Sequence, residues 1–514
     1  MPRMGHGTAV SLDDMRAAAA RVAERSAKVP FAFAVVTPAD PSRFDYLFPQ
    51  LQNDPDALLP VSAQTVVHLK NLGRAMRDPT PDDAKNSTIP AAYTYFGQFI
   101  DHDITLETVS ATLPELQDPG LQPMTLEQVK ATLFNTRTAT LDLDSLYGVP
   151  APRLGPRMKT GTVAPTTGRF RRPPGKTAEN DLPRDERSPD PRFDRSALIG
   201  DPRNDENTIV AQLHLSFLLA HNALVDRGMS FEDARRTLRQ HYQWMVLHDF
   251  LKQVCDPTIV DAVVQNGPRF YRALEEPFFL PIEFSVAAYR FGHSMVRASY
   301  NFNVNFAIPG DLPASLGLLF TFTALSGQLG NFDTLPEHWI IEWERFFPAG
   351  VNLARRLNTH LVEPLFRLTN SVGQAETAGG EDAPRLAVRN LLRGYLLRMP
   401  TGQAVARTLG IRPMTSAEIE TAADSAAQVE ILRESGFNER TPLWYYILAE
   451  ANTLESKGNR LGPVGSTLLA EVFVGLVQRS EDSILRSAHP WQPTLGSKGR
   501  FALPDLLRFA GRLQ

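Results

Sequence analysis

The sequence predicts a mainly α-helical protein, built as one large domain with few short strands. Three observations predict it. Apolar residues recur at helical spacing in several long segments, strand-like alternation is scarce, and no linker splits the 514 residues into two self-sufficient cores. A chain of this length would ordinarily divide into two or more domains. The missing linker argues instead for an N-terminal arm and helices over residues 1–84, packed on and continuous with a main domain over 85–514.

The elements follow in chain order. Ser11-Leu12-Asp13-Asp14 has the look of a capping box before an alanine-rich helix. Residues 149–202 are rich in Pro, Arg, Asp and Gly and have no periodicity, so they form a long functional loop laid over a core or a disordered stretch. Residues 208–227 are apolar around the whole circumference, as a deeply buried helix requires. Ser230-Phe231-Glu232-Asp233 starts a further helix, along which Leu238, Tyr242, Met245, Val246, Leu251 and Val254 keep helical spacing. Asn301 to Phe306 alternates polar and apolar residues and reads as a short hairpin arm. The uncharged stretch Leu312 to Phe332 contains Pro313, Gly317, Gly327 and Asn331, so it reads as core and not as a membrane span. Residues 371–384 read as a surface loop, and residues 464–486 as a second buried helix.

Composition excludes several functions. Lys and Arg total 53 against 57 Asp and Glu, so there is no basic footprint for nucleic acid and no polybasic membrane patch. Cys255 is the only cysteine, which rules out an internal disulfide and a thiolate metal cluster. The N-terminus lacks a basic region followed by an apolar core, so a Sec-type signal is not expected. The expectation is a protein that is cytoplasmic or exported by a non-classical route. The sequence leaves the oligomeric state open.

The densest chemistry lies in Phe96-Gly97-Gln98-Phe99-Ile100-Asp101-His102-Asp103, which sets an amide, two carboxylates and an imidazole among apolar side chains. Buried polar groups of this kind need partners, and such partners usually mark a site. Four further segments supply polar groups. Tyr289-Arg290-Phe291-Gly292-His293 offers a metal-ligating imidazole after a glycine that leaves room for a flat group. Gly200 to Asn207 ends the long loop and opens the buried helix, with Arg203 and Glu206 three apart. Thr138-Ala139-Thr140-Leu141-Asp142-Leu143-Asp144 places oxygen-bearing side chains at every second position, which suits calcium if a further carboxylate such as Asp103 joins them. Asn390 and Arg393 stand three apart, the amide able to accept from an imidazole and the guanidinium able to neutralise a carboxylate. Singly, each has an ordinary reading: a core histidine, a surface ion pair, a solvated turn, an amphipathic helix face.

In this order the segments resemble the mammalian-type (animal) haem peroxidase family of the peroxidase–cyclooxygenase superfamily, over roughly residues 85–490, with the chain read as a non-animal member. FGQFIDHD, LDLDSLYG, GDPRNDE, YRFGH and the Asn390-to-Arg393 stretch carry the resemblance, and the closing WYYILAE and LGPVGSTLLAEVF runs look like that family's C-terminal helices. The resemblance implies His102 as the distal histidine, Gln98 as the distal glutamine and Arg203 as the distal arginine. It implies His293 as the iron ligand, with Asn390 hydrogen-bonded to it. Asp101 and Glu206 match carboxylates that can form ester links to haem b, and Arg290 and Arg393 match arginines near the haem propionates. Asp103, Thr138, Asp142 and Asp144, with the backbone carbonyl of Thr140, match a calcium site. Asn207 stands where myeloperoxidase has the methionine of a sulfonium link, so no such link is expected.

The resemblance therefore implies an enzyme that reduces hydrogen peroxide and oxidises a small donor, such as a halide, a pseudohalide or a small aromatic, with a role under oxidative stress. His102 would move the proton of the peroxide, and Arg203 would stabilise the charge that develops on the departing oxygen. An amide partner such as Asn390 would leave the proximal imidazole closer to neutral than a carboxylate would. Two rival readings are a fatty-acid dioxygenase of the same superfamily and a non-catalytic haem-binding protein. The dioxygenases need a tyrosine three residues before the proximal histidine. Here that residue is Arg290, and Tyr289 stands about 100° round a helix from the required direction.

Overall fold

A computed structural model describes residues 42–514 apart from 79, 81–84, 108–112, 149–152, 167, 190–193, 308–311, 322–332, 348–350, 367–379, 454 and 488. The expected alanine-rich N-terminal helix and most of the 371–384 loop lie outside the described residues. What is described is mainly helical, with short two- and three-stranded pairings. The helices that position the site are α1 (Ala63–Ala75), α2 (Ala92–Ile104), α3 (Thr208–Asp226), α4 (Phe231–Met245), α5 (Leu386–Leu396), α6 (Leu443–Ala451) and α7 (Pro463–Arg479).

Local sequence explains where these helices start. Ser62, Asn207 and Ser230 each accept a backbone N–H of the first turn of α1, α3 and α4, which satisfies one donor that the helix cannot. The start of α7 has no side-chain cap of its own. Pro463 opens it, and the buried carboxylate of Glu450 on α6 accepts from the N–H groups of Val464 and Gly465.

One apolar core runs from Phe44 to Leu513. Its centre is aromatic. Phe99 of α2 stacks on Phe217 of α3 with centroids 4.5 Å apart, and the edge of Tyr242 of α4 meets Phe96, Phe99 and Phe217. Each such side chain contributes about 2–3 kcal/mol by burial. Helices α1 and α5 approach so closely that a Cβ on Gly73 would lie 2.8 Å from the Val388 backbone, so only glycine fits there. Helix α3 is long and apolar enough to cross a membrane, but 83% of that stretch is buried inside the protein.

Three sequence expectations change. The helix expected over 464–486 stops at Arg479, where the Ser480 hydroxyl turns to donate to Asp142 Oδ1 at 2.5 Å. Asn301 to Phe306 is shorter than a hairpin arm, a tight turn closed by the antiparallel pairing of Asn303 with Phe306: Asn303 gives its amide to the carbonyls of His338 and Ile340, and a second short antiparallel pairing joins Ser299–Tyr300 to Ala314–Ser315. The 312–332 stretch does not begin in the core, because Leu312 is 85% exposed. The described residues of the 149–202 segment are mainly loop, the first of the two readings that the absence of periodicity left open. This segment is pinned by Arg184, whose buried guanidinium binds Asp181 and Asp205 together.

A π-helical turn (Glu283–Ala287) and a 3₁₀ segment (Ala288–Met295) lead into His293. Glu283 anchors this approach: its two carboxylate oxygens accept from the N–H groups of Leu47 and Phe48 at 2.8 and 3.1 Å. Burial pushes its carboxyl up to about 7 against the pull of those donors. The folded state thus holds the proton more tightly than the unfolded chain. Glu283 contributes most stability below the ordinary glutamate range, and that contribution is lost as pH rises towards about 7. Urea unfolding of wild type and Glu283→Gln at pH 5 and pH 8 will show the variant gaining on wild type by on the order of 2–3 kcal/mol at the higher pH. Parallel pH slopes for the two proteins would refute this assignment.

Candidate active site

Helix α2 has two faces. Phe96, Phe99 and Ile100 share the face packed in the core, while Gln98, Asp101 and His102 lie on the other. Along the chain, Gly97, Gln98, Asp101, Arg203, Arg290, Gly292 and His293 are only half-buried although most of their neighbours are fully buried. These residues come from three separate segments, α2 and the two that pack on it, the turn Pro202–Asp205 and the Ala288–Met295 segment, and their shared partial exposure marks the candidate cleft between them.

The cleft is tied at one end by Tyr289, whose hydroxyl donates to the Gly97 carbonyl of α2 at 2.9 Å. Its ring stacks on Phe284 with centroids 5.0 Å apart. The phenol is thus bound to backbone and buried, and burial pushes its ionisation well above the usual tyrosine range. Beyond Tyr289 the segment opens: a Cβ built on Gly292 would meet nothing within 4 Å. The room that the sequence suggested beside His293 is present.

On the α2 side, His102 is buried and its Nδ1 lies 2.8 Å from Asn204 Oδ1. Burial, and then the nearby Arg203 guanidinium, push the imidazole below its ordinary value, which favours the neutral base. Arg203 does not pair with Glu206, three residues on. Its Nε and Nη2 bind the buried carboxylate of Asp201, and Nη2 also donates to the carbonyls of His102 at 3.1 Å and Thr105 at 2.5 Å. A cation is thereby fixed at the C-terminal end of α2, where the helix carbonyls favour it. Asp201 is shared with Arg137. Against burial, which pushes it up, Arg203 and Arg137 hold its carboxyl well below the usual carboxylate range.

Gln98 is held at both ends. Its Nε2 donates to Glu206 Oε1, and its Oε1 accepts from Asn207 Nδ2 at 3.1 Å. Asn207 also caps α3 by accepting from the Val210 N–H, which gives asparagine a structural purpose at this position. Asp101 accepts from the Thr105 hydroxyl at 3.0 Å. The electrostatic surroundings of His102 include Arg203, Asp201, Glu206 and Asp101, so the structure gathers the predicted distal residues. Arg290, from the opposite wall, lies within the field of Asp101.

On that wall, Asn390 of α5 and His293 meet as the sequence suggested, with Asn390 Nδ2 3.0 Å from His293 Nδ1. The expected direction is reversed. Arg290 Nη1 donates to Asn390 Oδ1 at 2.7 Å, and since arginine only donates, the amide oxygen is taken and its nitrogen faces the imidazole. Arg393, on the same helix, pairs with Glu107, and burial pushes it down to about 10. Trp444 of α6 supports the segment by donating to the Arg290 carbonyl at 3.1 Å.

The predicted calcium residues also converge. Asp144 Oδ2 accepts from the hydroxyl and N–H of Thr138, Thr138 and Thr140 hydroxyls lie 3.0 Å apart, and Thr140 donates to Asp142. The Thr140 carbonyl accepts from the Asp142 N–H at 2.9 Å. Asp103, from the core face of α2, accepts from the N–H groups of Leu143 and Ser145. Burial and the neighbouring Asp144 push the Asp103 carboxyl above the usual carboxylate range, and burial pushes Asp144 up as well. Ala139 and Leu143 hold left-handed backbone (φ 56° and 57°), a strain that the cluster maintains. Among the described residues, no three His, Cys, Asp or Glu side chains form a ready metal centre.

Sequence reasoning missed Arg137, Arg184, Asp201, Asn204 and His214. Asp201 and Asn204 lay inside the run quoted for Arg203. The usable signal was that acidic and amide residues sat directly before a helix too apolar to leave them exposed.

The "Animal haem peroxidase" family model matches residues 120–315. A "Peroxidase-like protein" of Margaritifera margaritifera is 29% identical over 305 residues, covering 50% of this chain and 36% of that protein, so the chain spans little more than a third of that relative's length. Peroxidase A from Dictyostelium discoideum has a similar fold, with a TM-score of 0.58 at 16% identity over 87% of this chain and 90% of that one. Fatty acid alpha-dioxygenase from Arabidopsis thaliana also shares it, with a TM-score of 0.51 at 15% identity over 88% and 74% of the two chains. The family match spans the Arg203 turn, α3 and the His293 segment but not α2 or Asn390, and together with the shared fold it makes this chain similar to the animal haem peroxidases.

Proposed function

We propose that this protein is a haem-dependent peroxidase that reduces hydrogen peroxide and oxidises a small reducing substrate, a halide, a pseudohalide or a small aromatic. The observation that carries the reading is the pairing of a buried neutral imidazole, His102, with a fixed guanidinium, Arg203, on one wall of a cleft whose other wall presents His293. The residues fit a haem. His293 offers an imidazole beside the open space at Gly292, and Arg290 and Arg393 supply charge for the propionates. Bound haem would supply the iron that takes up peroxide and the oxidising equivalents passed to the substrate.

The chain's own groups then have definite tasks. His102 Nε2 takes a proton and returns it, while its Nδ1 stays on Asn204. Among the described residues Arg203 Nη1 makes no hydrogen bond, while Nε and Nη2 are engaged by Asp201 and two carbonyls. That N–H is the donor available for developing negative charge. Gln98, bracketed by Glu206 and Asn207, closes the wall and limits water. Asp101 and Glu206 are the carboxylates for ester links to the haem. His293 would hold the haem iron, and with its other nitrogen protonated the imidazole would call for the Asn390 oxygen in place of the nitrogen that faces it here. Arg290, which holds that oxygen here, becomes the cation available to a propionate. Asp103, Thr138, Asp142, Asp144 and the Thr140 carbonyl would hold calcium, and because Asp103 directly follows His102 the ion would stiffen the end of α2.

The dioxygenase reading is disfavoured. Arg290 stands where the tyrosine is needed, and the Tyr289 hydroxyl is bound to the Gly97 carbonyl. Peroxide-dependent oxidation of a chromogenic phenol by haem-loaded protein tests the proposal, with oxygen uptake on linoleate as the opposite outcome. His102→Ala will lower the rate of peroxide cleavage by about 10²–10⁴-fold while keeping the haem absorption band. His293→Ala will lose that band. Full activity in His102→Ala would remove the acid–base assignment.

Calcium gives an independent readout. Calcium added to the chelated protein will raise the melting temperature, because an ion bound only to the folded state stabilises it and relieves the crowded carboxylates. Asp144→Asn will abolish most of that rise. An equal rise in wild type and Asp144→Asn would place calcium elsewhere.

A further inference from the structure

Beyond the residues that line the cleft, one buried chain of hydrogen bonds leads away from it. His102 Nδ1 lies 2.8 Å from Asn204 Oδ1, and Asn204 Nδ2 lies 3.0 Å from His214 Nδ1. His214 sits on α3, in the core and off the cleft, with its ring edge-on to Phe99 at 5.9 Å. His102, Asn204 and His214 are 3%, 0% and 0% exposed, so bulk water does not compete for these contacts. We propose that His214 is a positioning residue for the distal imidazole: through the side-chain amide of Asn204 it fixes the proton of His102 on Nδ1 and leaves Nε2 bare toward the cleft.

The argument is one of donor and acceptor identity. The Asn204 oxygen only accepts, so the His102 nitrogen facing it must carry hydrogen. The Asn204 nitrogen only donates, so the His214 nitrogen facing it must be bare. The two imidazoles are therefore opposite tautomers, and the amide couples them. Turning the amide over would exchange its oxygen and nitrogen and move the proton of both rings at once. It would put hydrogen on His102 Nε2 and remove the base from the cleft. Among the described residues the amide side chain makes no other hydrogen bond and His214 Nε2 has no partner, so the two ring contacts alone set the amide's orientation and the His214 contact is the one outside the cleft. Burial pushes His214 down to about 3, which keeps it neutral and able to accept at neutral pH. Asp201 reinforces the frame by accepting the Arg203 N–H, and its carbonyl accepts the Asn204 N–H at 3.0 Å. The turn that carries the amide is thus fixed independently of either ring.

The inference rests on His102 being the acid–base group, and its test separates the two claims. Full-length protein labelled with ¹⁵N-histidine is examined at neutral pH with calcium present, both without porphyrin and loaded with diamagnetic zinc protoporphyrin. Long-range ¹H–¹⁵N correlations report which ring nitrogen carries hydrogen. The expected result is His102 protonated on Nδ1 and His214 on Nε2. His214→Phe, which cannot accept, will give His102 a mixture of tautomers and slow peroxide cleavage by at least about tenfold. His214→Asn, which returns an oxygen to the place of Nδ1, will restore a single tautomer and most of the rate. His102 protonated on Nε2 in wild type overturns the proposal whatever the variants do. A folded His214→Phe with an unchanged His102 spectrum overturns it too. Failure to take up the porphyrin would count against the haem reading alone, because the tautomers are read equally in the unloaded chain.

Discussion

The buried carboxylate of Asp201 is the interaction on which the site depends. Two guanidiniums share it, Arg203 and Arg137. A carboxylate with no exposure would be prohibitively costly alone, and removing a partner from such a cluster typically costs about 3–5 kcal/mol. With both partners in place it fixes three segments at once. Arg203 grips carbonyls at the end of α2, Arg137 directly precedes the Thr138–Asp144 loop, and Asp201 itself opens the turn before α3. The charge that would act in the cleft is thus anchored outside it. Arg203 can present one N–H to the cleft because its other contacts are already made.

This arrangement gives the two faces of α2 separate work. The aromatic face packs on α3 and α4 and sets the height of the helix in the core. The polar face holds Gln98, Asp101 and His102 in the cleft, and each is braced by a residue from the turn before α3 or by the helix's own end. Asp103 points the other way, into the Thr138–Asp144 loop. One run of eight residues therefore serves the core, the cleft and the carboxylate loop, because successive side chains leave a helix about 100° apart. The opposite wall is built with less regularity. A π turn and a 3₁₀ segment replace an ordinary helix before His293, and Tyr289 ties that irregular backbone to α2. Irregular helical backbone of this kind often accompanies functional sites.

Much of this was legible in the sequence. The buried character of α3, the start of α4, the long loop and the paucity of strands follow from residue type and spacing, which act locally. The residues gathered in the cleft were also legible, because polar groups set among large apolar ones have few ordinary uses. The endpoints were less so. Nothing in the run from Pro463 onward announces that Ser480 leaves the helix for Asp142, since that attraction comes from a loop far away in the chain. The same holds for the turn at Asn303, whose amide answers carbonyls of residues 338 and 340.

By itself the sequence determined the class of fold, the resemblance to a family and the chemical groups brought to the site. These are properties of composition, periodicity and motif. Only the tertiary structure decided the direction of each hydrogen bond. The amide of Asn390 turns its nitrogen to His293 because Arg290 claims the oxygen, and Arg203 pairs with Asp201 and not with Glu206. His214 joins His102 only because α3 lies against α2 with Asn204 between them. A side chain's chemistry is local, but its protonation and its partner depend on which donors and acceptors the fold brings within about 3 Å.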